Sequence, residues 1–123
     1  QQAPVLSDPS CESNSTTLCL DDRRFELKVA WRDFSDTLGP GRAAAMTADT
    51  GYFWFFSNDN VEVVVKVLDG RGINGHYWVF FGALSNVEYR LKVTDTVTGA
   101  SKTYYNESGT FGSFGDTEAF EVP

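Results

Sequence analysis

The segment RRFELKVAWRDF (23–34) alternates apolar and polar side chains, with Phe25, Leu27, Val29 and Trp31 on one face and Glu26, Lys28 and Arg32 on the other. A period of two sends successive side chains to opposite faces, so this segment predicts a half-buried β-strand. The same rhythm returns in VEYRLKVTD (87–95), where Val87, Tyr89, Leu91 and Val93 form the apolar set. VEVVVKVLD (61–69) is β-branched, with Val61, Val63, Val65 and Val67 on one side, and HYWVFFGA (76–83) reads as the next strand. RAAAMTA (42–48) and ASKTYYN (100–106) read as further strands, and TEAFEV (117–122) as a final edge strand. Turn chemistry separates them: SDTLGPG (35–41), SNDN (57–60), the glycine loop GRGING (70–75), LSN (84–86), TVTG (96–99) and the glycine-punctuated ESGTFGSFGD (107–116).

No window keeps a helical period. Seven or eight short strands with regular turn signals predict an all-β chain folded as a single β-sandwich, immunoglobulin-like in general layout. Residues 1–22 are polar and without periodicity, so they are set apart as an N-terminal segment, with the sandwich domain over 23–123.

The stretch GYFWFFS (51–57) complicates a simple two-layer reading. If it is extended, Tyr52, Trp54 and Phe56 share one face and Phe53 and Phe55 the other. HYWVFF divides likewise, Tyr77, Val79 and Phe81 against Trp78 and Phe80. A two-layer sandwich buries one face of each sheet, so one aromatic set needs a second cover. Three covers are open: the N-terminal segment, a second copy or another chain, and the ring of a bound sugar. Tyr52, Trp54, Phe56, Trp78 and Phe80 are therefore the candidate ligand or interface aromatics.

Composition sharpens this picture. Among 123 residues there are 10 Phe, 5 Tyr and 3 Trp, and nine of these 18 aromatics lie between Gly51 and Phe81. A net charge of −7, with Lys and Arg scattered along the sequence, argues against a nucleic-acid partner. No apolar run approaches the roughly 20 residues of a membrane-spanning helix. The start, QQAPVLSDPS, lacks the basic and apolar regions of a signal peptide and reads as a mature N-terminus, whose Gln1 could cyclise to pyroglutamate.

Cys11 and Cys19 lie close together in CESNSTTLC. A disulfide between them would pin the polar segment beside the first strand, contributing about 2–3 kcal/mol, and would imply an oxidising compartment. Two free thiols are the competing reading. Two Cys and one distant His cannot complete a zinc site.

The series LCL…RFELKVAWRD…TADTGYFWFF…NVEVVVKVLDGRGINGHYWVFFGALSNVEYRLKVTDTVTG…TYYN resembles a β-rich module that recurs in secreted and cell-surface bacterial proteins, often appended to larger extracellular polypeptides. The resemblance covers about residues 18 to 106. It implies a bacterial origin, an extracellular location and a non-catalytic accessory role; it implies no ligand and carries over no site residue.

Candidate chemistry outside the aromatics is sparse. The only histidine, His76, begins a strand and has no nucleophile-elbow motif to serve, so no enzyme is expected. Asn58, Asp59, Asn60, Asp69 and Asn74 supply loop oxygens that calcium could use, although Asp and Asn also dominate turns and no EF-hand spacing is present; Asp59, Asn60 and Asp69 are the calcium candidates, and no other cofactor is expected. Asn14 and Asn106 stand in formal glycosylation sequons, which in a bacterial protein are read as chance matches. Two functions remain. One is an extracellular binding module whose exposed aromatics contact a carbohydrate or protein ligand. The other is a structural subunit of a surface fibre, self-associating through its N-terminal tail and aromatic face.

Overall fold

The computed structural model describes residues 10–121, and within them ten strands and one helical turn. The strands are β1 (Leu18–Leu20), β2 (Phe25–Arg32), β3 (Leu38–Pro40), β4 (Arg42–Ala45), β5 (Thr50–Trp54), β6 (Val63–Gly70), β7 (His76–Ala83), β8 (Glu88–Asp95), β9 (Ser101–Asn106) and β10 (Ser113–Glu121). The helical turn, α1 (Arg71–Asn74), occupies part of the expected glycine loop and closes on Gly75 in the left-handed region.

All pairings are antiparallel. Sheet 1 runs β1–β2–β8–β9, and sheet 2 runs β10–β7–β6–β5–β4. β1 and β3 share one edge of β2, β1 pairing with Phe25–Leu27 and β3 with Ala30–Arg32. The alternating segments lie where their periodicity places them. Phe25, Leu27 and Val29 of β2 and Tyr89, Leu91 and Val93 of β8 point inward, against Val63, Val65 and Val67 of β6 and Tyr77, Val79 and Phe81 of β7. The two inner faces meet in ring contacts such as Phe25–Tyr77, with centroids 4.7 Å apart, and Phe55–Tyr89 at 6.1 Å. This is a β-sandwich-like arrangement around one core.

Three expectations change. The strands number ten among the described residues rather than seven or eight, because turn-forming sequence does not exclude short pairings. SDTLGPG contributes β3, whose Gly39 allows the Trp31 ring to lie against it: a Cβ there would fall 2.4 Å from that ring. The last strand starts at Ser113, inside the glycine-punctuated stretch, and absorbs the irregularity with a register shift between Asp116 and Phe120. The sandwich also begins before residue 23. Leu18 and Leu20 are buried in the core as part of β1, and Cys11 is buried with them. The polar residues around them hide this, because only two of the three β1 side chains face inward. Residues 1–9, including Gln1 and the first part of the expected N-terminal segment, lie outside the described residues.

The Cys11–Cys19 disulfide is formed. It ties the incoming chain to β1, and the Cys11 amide donates to the Arg23 carbonyl at 2.7 Å. The segment then crosses to sheet 2, where the Ala43 amide donates to the Ser15 carbonyl at 2.9 Å. Among the described residues no helix is long and apolar enough to cross a membrane.

Candidate functional site: the outer aromatic face of sheet 2

Phe53 and Phe55 are the buried members of the GYFWFFS run. Tyr52 and Trp54 therefore face outward from β5, as strand alternation requires, and Trp78 and Phe80 face outward from β7. All four are half-buried rather than exposed. Register sets their neighbours: Tyr52 stands opposite Val64 and Ala44, Trp54 opposite Arg42, Trp78 opposite Leu68, and Phe80 opposite Lys66 and Gly115.

Glycines explain how two of these rings are held. A Cβ on Gly70 would fall 2.3 Å from Cε2 and Nε1 of Trp78, so the indole lies directly on the glycine backbone. A Cβ on Gly115 would fall 2.9 Å from the ring of Phe80. Both rings thus lean across the sheet and shield a neighbouring backbone, an aromatic cover over strand glycines. Asn74 then fixes the indole, its Oδ1 accepting from Trp78 Nε1 at 2.8 Å and its Nδ2 donating to the Thr117 carbonyl at 2.8 Å. Trp78 and Phe80 meet edge to face at 6.3 Å. Arg42 lies over the Trp54 ring, 5.9 Å from its centroid. Beside Phe80 is a shallow depression of about 500 Å³ whose lining includes Thr50, Lys66 and Ser113, which place hydroxyl and ammonium groups around the ring.

Phe56 is not part of this face. β5 ends at Trp54, so the alternation no longer governs Phe56. Its ring packs against Trp31 of the opposite sheet with centroids 4.9 Å apart, and it lies at the rim of the sandwich, 52% exposed.

The calcium candidates are not brought together. Asp59 and Asn60 precede β6 and Asp69 is its penultimate residue, so about 20 Å of strand separates them. Asp59 accepts from the Ser57 hydroxyl and Asn60 donates to Glu62 at 3.0 Å. Both carboxylate oxygens of Asp69 are taken by Arg71, at 2.8 Å and 2.7 Å, and these hydrogen bonds hold its carboxyl down to about 2. Asn74 is the brace for Trp78. Among the described residues no group of three or more His, Cys, Asp or Glu side chains is arranged to hold a metal ion.

His76 Nδ1 lies 3.0 Å from the Asn74 carbonyl oxygen, which makes it the protonated ring nitrogen. Of the two sequons, Asn14 is exposed and accepts from the Thr16 amide and hydroxyl. Asn106 is 2% exposed; its Nδ2 donates to the carbonyls of Val87 and Thr110, and its Oδ1 accepts from the Gly112 amide. That amide nitrogen is not available for a glycan in the folded chain.

Strand alternation divided the rings between two faces but left open which face is buried, and it did not reveal their supports. Gly70, Gly115 and Asn74 sit in segments that read as turn sequence, and only cross-strand register reveals what lies on them. No family model matches the chain, and neither the curated proteins nor the solved structures provide a significant match, so its function has to be argued from this geometry.

Proposed function

We propose that the chain is a non-catalytic extracellular accessory module that holds a carbohydrate against the outer face of sheet 2. The observation that carries this reading is the fixed pose of Trp78. Its indole rests on Gly70 and is tied through Nε1 to Asn74, so a ligand would meet a platform that is already ordered and loses little conformational freedom on binding. Phe80, Tyr52 and Trp54 extend the apolar surface, while Thr50, Lys66 and Ser113 supply polar groups beside it. Flat rings with a polar fringe suit the C–H faces and hydroxyls of a sugar. The intramolecular disulfide supports an oxidising, extracellular location. The likeness to immunoglobulin-type modules that this reading assumes extends to two antiparallel sheets closed over one core.

The test is native affinity electrophoresis in gels containing neutral soluble polysaccharides such as xylan, mixed-linkage glucan and hydroxyethylcellulose. The wild-type chain should be retarded by at least one of them, and Trp78→Ala should migrate freely while retaining a cooperative thermal transition. Absence of retardation across the panel, or equal retardation of Trp78→Ala, would overturn the proposal.

A further inference from the structure

The opposite outer face, on sheet 1, gathers positive charge in an acidic chain. Lys28 and Arg32 point outward from β2, and Arg90 and Lys92 outward from β8; all four are exposed. They are four of the ten Lys and Arg residues in a chain of net charge −7. Register places Lys28 directly opposite Lys92. Facing side chains in an antiparallel pair have Cβ atoms about 5 Å apart, and like charges so placed repel. Neither ammonium forms an ion pair among the described residues.

The arginines are held differently. Glu88 lies 3.4 Å from Arg90 and 3.9 Å from Arg32, and Tyr105 of β9 packs under Arg90, 4.7 Å from ring centroid to guanidinium. Two oriented guanidinium groups therefore occupy the next two rows beyond the unpaired lysines, with Glu26 in the row before them. Beside them runs a groove of about 730 Å³ whose lining includes the exposed Leu38 and Pro40 of β3.

We propose that this groove binds an acidic polysaccharide bearing uronate carboxylates. Charge complementarity identifies the sign of the ligand, and the location on a sheet face identifies its kind. Backbone donors and acceptors of β2 and β8 are consumed in their own ladder, so the face offers side chains only. A peptide that binds by main-chain pairing requires a sheet edge. A linear sugar chain with repeated carboxylates requires what is present: cations in successive rows along two strands and an apolar shelf beside them. Binding relieves the Lys28–Lys92 repulsion by placing a carboxylate between the two ammonium groups.

The site is separate from the aromatic face, and its test is separate too. Gels containing polygalacturonate should retard the chain at low ionic strength, and added salt should release it. Lys28→Gln/Lys92→Gln should weaken binding about tenfold or more, while Trp78→Ala and Lys66→Gln, both on sheet 2, should bind as wild type. The double variant should melt at or above the wild-type temperature, since it removes a repulsion and no contact. Four results would overturn the proposal: no retention by polygalacturonate, undiminished retention of the double variant, equal retention by polyglutamate or single-stranded DNA, or a dimer in light scattering that dissociates in the double variant. The third would indicate simple ion exchange, and the fourth would make a second copy the occupant.

Discussion

Arg24 grips both carboxylate oxygens of Asp95, with Nε to Oδ1 and Nη2 to Oδ2 each at 2.9 Å, across the turn that joins β8 to β9 and the entry to β2. Asp95 is fully buried. Burial by itself would raise its carboxyl, but the Arg24 hydrogen bonds and the Val97 amide outweigh that and hold it below the usual range. The guanidinium also lies over Tyr77 of the other sheet, 4.7 Å from the ring centroid, so the pair fastens the two layers. Arg24→Ala leaves a buried carboxylate without its partner and is expected to cost about 3 kcal/mol, measured by urea unfolding. Because the folded carboxyl is depressed, its contribution is present above about pH 4 and is lost as pH falls through the folded value. An Arg24→Ala protein whose stability equals the wild type at pH 7 would refute the role given to this pair.

Asp21 behaves in the opposite sense. Desolvation, followed by repulsion from Asp49 and Asp69, raises its carboxyl to about 7, against a smaller lowering by Arg24. One carboxylate oxygen is buried without a hydrogen-bond partner among the described residues. A raised acid stabilises the fold most below its unfolded value, and that contribution is lost as pH rises from about 4 to about 7. Melting temperature should therefore rise as pH is lowered from 8 towards 5. Asp21→Asn should melt higher than wild type at pH 8 and show a flatter profile over this window, since Asn tolerates the backbone φ of 56° at this position.

Asn106 joins the start of β8, the end of β9 and the loop before β10 through three side-chain hydrogen bonds of 2.8 to 3.0 Å. Asn106→Ala removes all three and strands the Gly112 amide, for an expected loss of about 2–4 kcal/mol. In a domain of this size that corresponds to roughly 10 °C or more in melting temperature, read by calorimetry. Asn106→Asp should be no better, because two carbonyls would then face a carboxylate.

Tyr89 offers a change in the other direction. It is fully buried between Phe55 and Phe81, and its hydroxyl has no hydrogen-bond partner among the described residues. Desolvation alone raises its phenol well above the ordinary value. Tyr89→Phe keeps the packing and removes the unpaired hydroxyl, so stability should be unchanged or increased. A loss above about 1 kcal/mol would reveal a partner for that oxygen.

How much of this was legible follows from what each residue's signal depends on. β2, β6, β7 and β8 announce themselves because their period is local: Phe25 through Trp31 and Val87 through Val93 need only their own neighbours in sequence. The division of the aromatics was equally readable up to Trp54, where the strand ends, and failed at Phe56 for that reason. β1 and β3 are three residues each, too short for a period to register, and exist through their pairing with β2. The lysine pair was hidden for a related reason. Lys28 and Lys92 lie far apart in sequence and become neighbours only through β2–β8 register.

The order of strands in sheet 2 has a consequence for how the chain reaches this state. β4, β5, β6 and β7 follow one another in sequence and in space, so each pairing closes only a short loop. β2 meets β8 only after that entire meander has been bridged, with Phe25 opposite Asp95 and Arg32 opposite Glu88. Loop-closure entropy therefore weighs on the β2–β8 ladder, and on the return of β10 to β7, rather than on the β4–β7 meander. The β4–β7 meander can assemble first as a local template, and refolding speed is then set by how quickly distant strands find their register upon it.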